Sequence, residues 1–414
     1  MATISAPQRA LGRVEFTVLL SLTMSLAALG IDIMLPALGA IRSDYGLAEN
    51  STAAAALVTV YVIGLALPQV IYGPLSDRFG RKPLMNIGFA IYVVGALAAA
   101  LAPTFGALLV ARFIWGVGAA GPRGLSIAVV RDRYSGNEMA RAMSFIFAVF
   151  VVIPIVAPTI GAALVSFVDW RAVLAFCAVW GFGVAIWAIR LPESLHPEYR
   201  MELRMRRLLE AAREVATNRL TAGYTLALTF STGLFVSYIA SSEIIISDVF
   251  DLESAFPIVF GAFAVVLLVA MLTNGAIVGH FGTRRVSHAA LVAYLLLTIA
   301  LVILAIGTGG TPSFWSFALV LAPMLGCHAL MMPNFNTIAM LPMGHIAGTA
   351  SSLMATFSLA VGALLGAILD QAFNTTILPF ALGALVYGIG SLGAVLWAER
   401  GRLFVPLAES EGSP

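Results

Sequence analysis

The chain has 414 residues, of which 60% are hydrophobic and only 11% charged, and its formal net charge is +2. A soluble domain carries about 25% charged residues, so a mean hydropathy of +0.97 excludes a water-solvated fold, and nothing in the charge marks a nucleic-acid partner. Cys177 and Cys327 both lie in apolar runs, which predicts free thiols rather than a disulfide framework.

In chain order, apolar runs of spanning length fall near 14–37, 51–75, 84–102, 107–130, 142–167, 171–191, 220–247, 256–279, 288–308, 314–341, 346–369 and 377–398. About 20 apolar residues cross a bilayer as a helix, so the expectation is an all-α polytopic membrane protein with twelve transmembrane helices. The first run lacks a small-residue cleavage site and is read as a span, not a signal peptide. Short links such as "APTFG" and "GTGGTP" are turn chemistry between antiparallel helices.

Arginine placement sets the orientation. With both termini cytoplasmic, 19 of the Lys and Arg residues fall on the cytoplasmic side and only Arg42 and Arg171 on the other, with Arg112 and Arg123 inside spans. The one long polar break, 191–220, carries Leu208, Leu209, Ala212 and Val215 on one helical face. Glu202 with Arg206, and Arg206 with Glu210, have i,i+4 spacing. The expected organisation is a six-helix bundle over 1–191, a cytoplasmic amphipathic linker over 192–219, a second bundle over 220–398, and a tail over 399–414. "GPLSDRFGRK" (73–82) and "GAIVGHFGTR" (275–284) share Gly-x6-Gly and a phenylalanine at an offset of 202 residues, a weak parallel repeat of the kind found in some transporters.

Asp32, in "ALGIDIMLPAL", is an ionisable acid about 18 residues into the first span. Arg112 lies at a matching depth in the fourth. Either residue costs roughly 2.5–3.5 kcal/mol at a helix centre, so each needs a partner or a wet cavity. Pro36 has no N–H and leaves the carbonyl of Asp32 without its helical donor. Desolvation and a neighbouring guanidinium push a carboxylate's proton affinity in opposite directions, so Asp32 is read as a proton carrier, with a static Asp32–Arg112 bridge as the plainer alternative. Arg123 follows Arg112 by eleven residues, roughly 20° around and about 16 Å along the helix, and is a candidate cavity residue. Glu243, near the outer end of the seventh span, is a second proton-coupling candidate or a polar rim residue. Asp248 and Asp370 are read as interfacial, and His328 and His345 as lacking metal-ligand company. Tyr61, Phe113, Trp115, Phe235, Tyr238 and Asn334 complete the candidate substrate contacts, core packing being the competing role for each aromatic. Pro333 with Asn334 is expected to interrupt the tenth span.

Several strings together resemble a known family. "GPLSDRFGRKP" is similar to the major facilitator loop between helices 2 and 3. "RFIWGVGAAG" resembles the arginine-led fourth helix of drug:proton antiporters, and "PIVAPTIGA" their helix-5 motif with Ala157 and Ala162 in place of glycines. With "IDIMLPAL", "VVRDRYS", "LPESLHPE" and "HIAGTASSL" they resemble the Bcr/CflA branch of twelve-span exporters. That resemblance implies two pseudo-symmetric six-helix bundles working by alternating access, and a gating cluster of Gly73, Asp77, Arg78, Gly80, Arg81, Lys82 and Arg131. In it Gly73 would permit close helix approach and Asp77 would pair with Arg131 or Arg81. Pro154, Pro158 and Gly161 would bend and seal the fifth helix. No Walker loop of the form G-x4-G-K-[ST] is present. Neither a catalytic triad nor a metal or cofactor site is expected. The implied function is a proton-coupled exporter of lipophilic small molecules in a bacterial inner membrane, with both termini cytoplasmic, lipid and protons as its other partners, and a monomer as the working unit. The alternative is a metabolite exporter or uptake symporter on the same scaffold.

Overall fold

A computed structural model of the chain describes residues 11–48, 51–134, 136–196, 198, 205–373 and 375–404. Among these residues the secondary structure is helical throughout. The helices are α1 (Arg13–Asp32), α2 (Leu38–Asp44), α3 (Ala56–Ala66), α4 (Gln69–Phe79), α5 (Arg81–Ala100), α6 (Phe105–Arg133), α7 (Gly136–Phe167) and α8 (Trp170–Ala188), followed by α9 (Met205–Thr217). Then come α10 (Arg219–Ile244), α11 (Phe256–Phe281), α12 (Thr283–Gly307), α13 (Phe314–Met340), α14 (Ala347–Gln371) and α15 (Leu378–Ala398). Among the described residues eleven stretches are long and apolar enough to cross a membrane, and one of them, Phe314–Gln371, contains both α13 and α14. Twelve spanning segments therefore lie where the apolar runs predict them.

Side-chain caps mark several starts. The Thr104 hydroxyl accepts from the N–H of Ala107 at 3.2 Å, and Asn218 Oδ1 accepts from those of Leu220 and Thr221, each at 3.1 Å. The repeat is legible in backbone geometry. Gly80 between α4 and α5 has φ 104° and ψ 156°, and Gly282 between α11 and α12 has φ 82° and ψ 150°. Both turns need the left-handed region that glycine enters without penalty.

The chain divides into two compact units. One contains residues 1–37 and 63–204, the other residues 38–62 and 205–414. In the first, α5 packs on α6 and α8, and α1 on α7 and α6. In the second, α10 is the central helix, packed on α14, α15 and α13, with α12 against α13 and α15. The C-terminal part of the first span, α2, belongs to the second unit. The linker helix α9 lies against α14 and α10. Ala211 and Val215 are buried there, while Leu209 points away at 65% exposure, so the packed face is turned by about one residue from the expected one. Arg206 and Glu210 pair at 2.8 Å; Glu202 lies outside the described residues. The expected interruption near Pro333 does not occur, since α13 runs unbroken through Pro323 and Pro333.

A buried acid at a helix break and two ion-pair clusters

Asp32 is the last residue of α1 and is buried. The α-type ladder ends with Ile33 N–H donating to Leu29 O at 3.2 Å, and a 3-10 turn over Leu35–Ala37 follows, closed by Ala37 N–H to Met34 O at 2.9 Å. Pro36 sits in that turn, where its missing N–H costs no ladder bond. Arg112 Nη1 donates to the carbonyl of Gly30 at 2.7 Å, filling an acceptor at the break. Its guanidinium lies 4.8 Å from the Trp115 ring centroid, and both side chains are wholly buried. A direct Asp32–Arg112 salt bridge does not form. The guanidinium is instead bound to backbone two residues before the acid.

Gly161 on α7 presses on the same break. A Cβ there would come 3.0 Å from the carbonyl carbon of Ile33, closer still to its oxygen, and 3.2 Å from Cγ of Pro36. Only a glycine lets α7 approach this backbone. Pro154 and Pro158 lie within the same continuous helix. Phe113 and Arg123 are half-buried on α6. Tyr61 is buried in α3 and Trp115 stacks edge-on to Tyr92 at 5.5 Å, so both are core residues.

The second cluster joins α4, α5, α6 and the segment after α8. Arg81 binds Asp77 Oδ1 at 2.5 Å, Asp132 Oδ2 at 3.1 Å and the Ser76 hydroxyl at 2.5 Å. Of the two partners considered for Asp77, Arg81 is therefore the one engaged, while Arg131 is exposed. Glu193 caps α5, accepting from the N–H of Arg81 at 2.8 Å and of Lys82 at 3.2 Å, where the helix dipole favours an anion. Lys82 Nζ donates to Ile189 O at 2.8 Å, near the end of α8. Arg78 lies over the Phe79 ring at 5.1 Å. One expectation fails here: within its unit a Cβ on Gly73 would meet nothing within 4 Å. The tight crossings of this bundle are carried by α5 and α6 instead.

In the second unit, Arg42 and Glu243 form a bidentate pair, Nη1 to Oε2 at 2.8 Å and Nη2 to Oε1 at 3.0 Å, with each side chain 7% exposed. Glu243 is thus neither a free rim acid nor an isolated carboxyl. Phe235 stacks on His328 at 4.5 Å and meets Tyr238 at 6.2 Å, beside a small cavity also lined by Tyr294 and Phe380. The Ser231 hydroxyl hydrogen-bonds His328 Nδ1 at 2.8 Å. Asn334 donates to Asn274 Oδ1 at 2.8 Å, joining α13 to α11. Asp370, expected at the interface, is instead buried.

A groove of about 300 Å³ opens beside the start of α1, between Arg13, Thr17, Tyr134, Glu138, Arg141 and Phe145. It lies roughly 28 Å along α1 from Asp32 and is not the Asp32 site. Arg13, by hydrogen bond and charge, holds the exposed Glu138 carboxyl below the usual carboxylate range.

Sequence patterns pointed to Asp32, Arg112, Asp77, Arg81 and Gly161, and missed Arg42, Asp132 and Glu193. The "LPES" string was the one available signal for Glu193. Comparison with known proteins fits this architecture. The sequence profile of the Major Facilitator Superfamily matches residues 20–367. The chain belongs to the major facilitator superfamily. It is a multi-pass membrane transporter. Among relatives, the bicyclomycin resistance protein homolog of Haemophilus influenzae is 28% identical over 90% of this chain and 93% of that protein. Multidrug resistance protein MdtM of Escherichia coli O157:H7 is 26% identical over 88% of each. These relatives agree with the Bcr/CflA-like branch that the motifs resemble. A D-xylose-proton symporter superposes with a TM-score of 0.70 at 15% identity, covering 94% of this chain and 98% of that one. A bacterial homologue of the lysosomal transporter Spinster gives 0.68 at 16%, covering 96% and 97%. At these identities the structures share the fold alone.

Proposed function

We propose that this transporter is a proton-coupled exporter of lipophilic small molecules and that Asp32 carries the proton. The observation that carries the reading is a buried carboxyl at a break in α1, with a guanidinium bound beside it to backbone rather than to the acid. A permanent ion pair would hold the acid ionised. Without one, the carboxyl is free to exchange a proton with water as alternating access opens the break to one side and then the other. Export, rather than uptake, is supported by relatives named for drug and bicyclomycin resistance. The arginine distribution supports cytoplasmic termini in a bacterial inner membrane. Glu243 belongs to the coupling machinery as one arm of a pair that must open for its carboxyl to bind a proton. Arg81, Asp77, Asp132 and Glu193 serve as the gating cluster. The candidate ligand contacts are Phe113 and Arg123 on α6 and Phe235, Tyr238 and Asn334 in the second unit; Tyr61 and Trp115 support them from the core.

The test uses the purified full-length protein in proteoliposomes with an imposed pH gradient and a fluorescent lipophilic cation such as ethidium. Wild type should accumulate the dye against its gradient, and an uncoupler should abolish this. Asp32→Asn should retain the folded elution profile and lose gradient-driven accumulation. Unchanged accumulation by Asp32→Asn would remove the assignment.

A further inference from the structure

A second acid lies in the other unit, at the crossing of α10 and α14. Gly362, Gly366 and Asp370 follow one another at four-residue spacing on α14, so they share a face. Gly233, Ser237 and Ser241 do the same on α10. The glycines let the backbones touch: a Cβ on Gly366 would lie 2.9 Å from Gly233 O and 3.1 Å from Ser237 N, and one on Gly362 would lie 2.9 Å from Thr232 Cγ2. That close approach brings the Asp370 carboxyl over the two serines. Ser237 Oγ donates to its Oδ1 at 2.5 Å and Ser241 Oγ at 2.7 Å. The residue is 4% exposed, and Oδ2 is buried with no hydrogen-bond partner among the described residues.

The asymmetry of the two oxygens is the informative feature. Oδ1 accepts twice, as the carbonyl oxygen of a neutral acid can, while Oδ2 has no donor to balance a negative charge. Among the described residues no Lys, Arg or His forms an ion pair with it. On α10, Glu243 is engaged by Arg42; on α13, His328 is engaged by Ser231. On α15, the Tyr387 hydroxyl donates to Leu365 O at 2.7 Å. At the other end of α14, Glu214 of α9 meets His345. The 3-10 turn over Thr52–Ala55, which also packs on α14, carries no titratable side chain.

We propose that Asp370 is a second proton-binding site of this transporter, with the proton on Oδ2 and the Ser237 and Ser241 hydroxyls on Oδ1. Uptake and release are proton exchange with water, and no other bond changes. As a coupling site it rests on the proton-driven reading above; as a proton site it does not.

Infrared difference spectra of the full-length protein in nanodiscs, recorded across a pH series in light and heavy water, read protonated carboxyls directly and need no substrate. Asp370→Asn should remove one protonated-carboxyl band, and Asp32→Asn should remove a different one. The pair Ser237→Ala with Ser241→Ala keeps the acid but takes away both donors to its ionised form. It should move the Asp370 midpoint upward by about one to two pH units. If Asp370→Asn does not fold, this serine variant carries the test alone. A spectrum unchanged by Asp370→Asn, or a midpoint indifferent to the serines, overturns the proposal and leaves the Asp32 assignment standing. Loss of the Asp370 band in a protein whose Asp32→Asn variant still pumps would instead overturn the Asp32 assignment and keep this site.

Discussion

Replacing Arg42 by methionine strands Glu243. The pair is buried on both sides, 7% exposed each, and joined by two short hydrogen bonds. Two unit charges about 4 Å apart attract by about 4 kcal/mol at an effective dielectric of about 20. Desolvation offsets much of that in the intact pair, so its net worth is small. A lone survivor keeps the desolvation cost and loses the attraction. Arg42→Met or Glu243→Met should therefore each lose about 3–5 kcal/mol, whereas the double substitution, which removes both charges, should lose about 1 kcal/mol or less. Gly39 makes room for the pair, because a Cβ there would lie 3.3 Å from Glu243 Oε1. The assay is a double-mutant cycle of reversible unfolding in mixed detergent micelles. Additive single effects, or singles below about 1 kcal/mol, would refute the reasoning and describe a solvated pair instead.

Two further outcomes follow from the first unit. Gly161→Ala places a methyl inside contact distance of the Ile33 carbonyl, so it should cost about 1–3 kcal/mol and impair transport, while Gly124→Ala, where a Cβ meets nothing within 4 Å, should be close to neutral; equal effects at both positions would show that the α7 contact is unimportant. Glu193→Gln weakens the anionic cap on α5 and should cost roughly 0.5–2 kcal/mol, read as lowered unfolding stability and faster amide exchange at Arg81 and Lys82; exchange that stays unchanged there would exclude the capping role.

Hydropathy and spacing were enough for the twelve spans, since a bilayer demands about 20 apolar residues per crossing wherever the helix later packs. They were enough too for the paired turn glycines at Gly80 and Gly282, and for a disturbed first helix ending at Pro36, because these are local consequences of backbone chemistry. The partners of the charges were not local. Arg42 meets Glu243 across 201 residues, Arg81 meets Asp132 across 51, and Ser237 meets Asp370 across 133. Periodicity within one helix states which face a residue occupies and is silent about the helix opposite. Asp370 illustrates the difference. Its position near the end of α14 made it look interfacial, and only the small-residue crossing with α10 buried it. Composition thus determined that the chain spans a membrane twelve times, while packing decided which of its few charges meet.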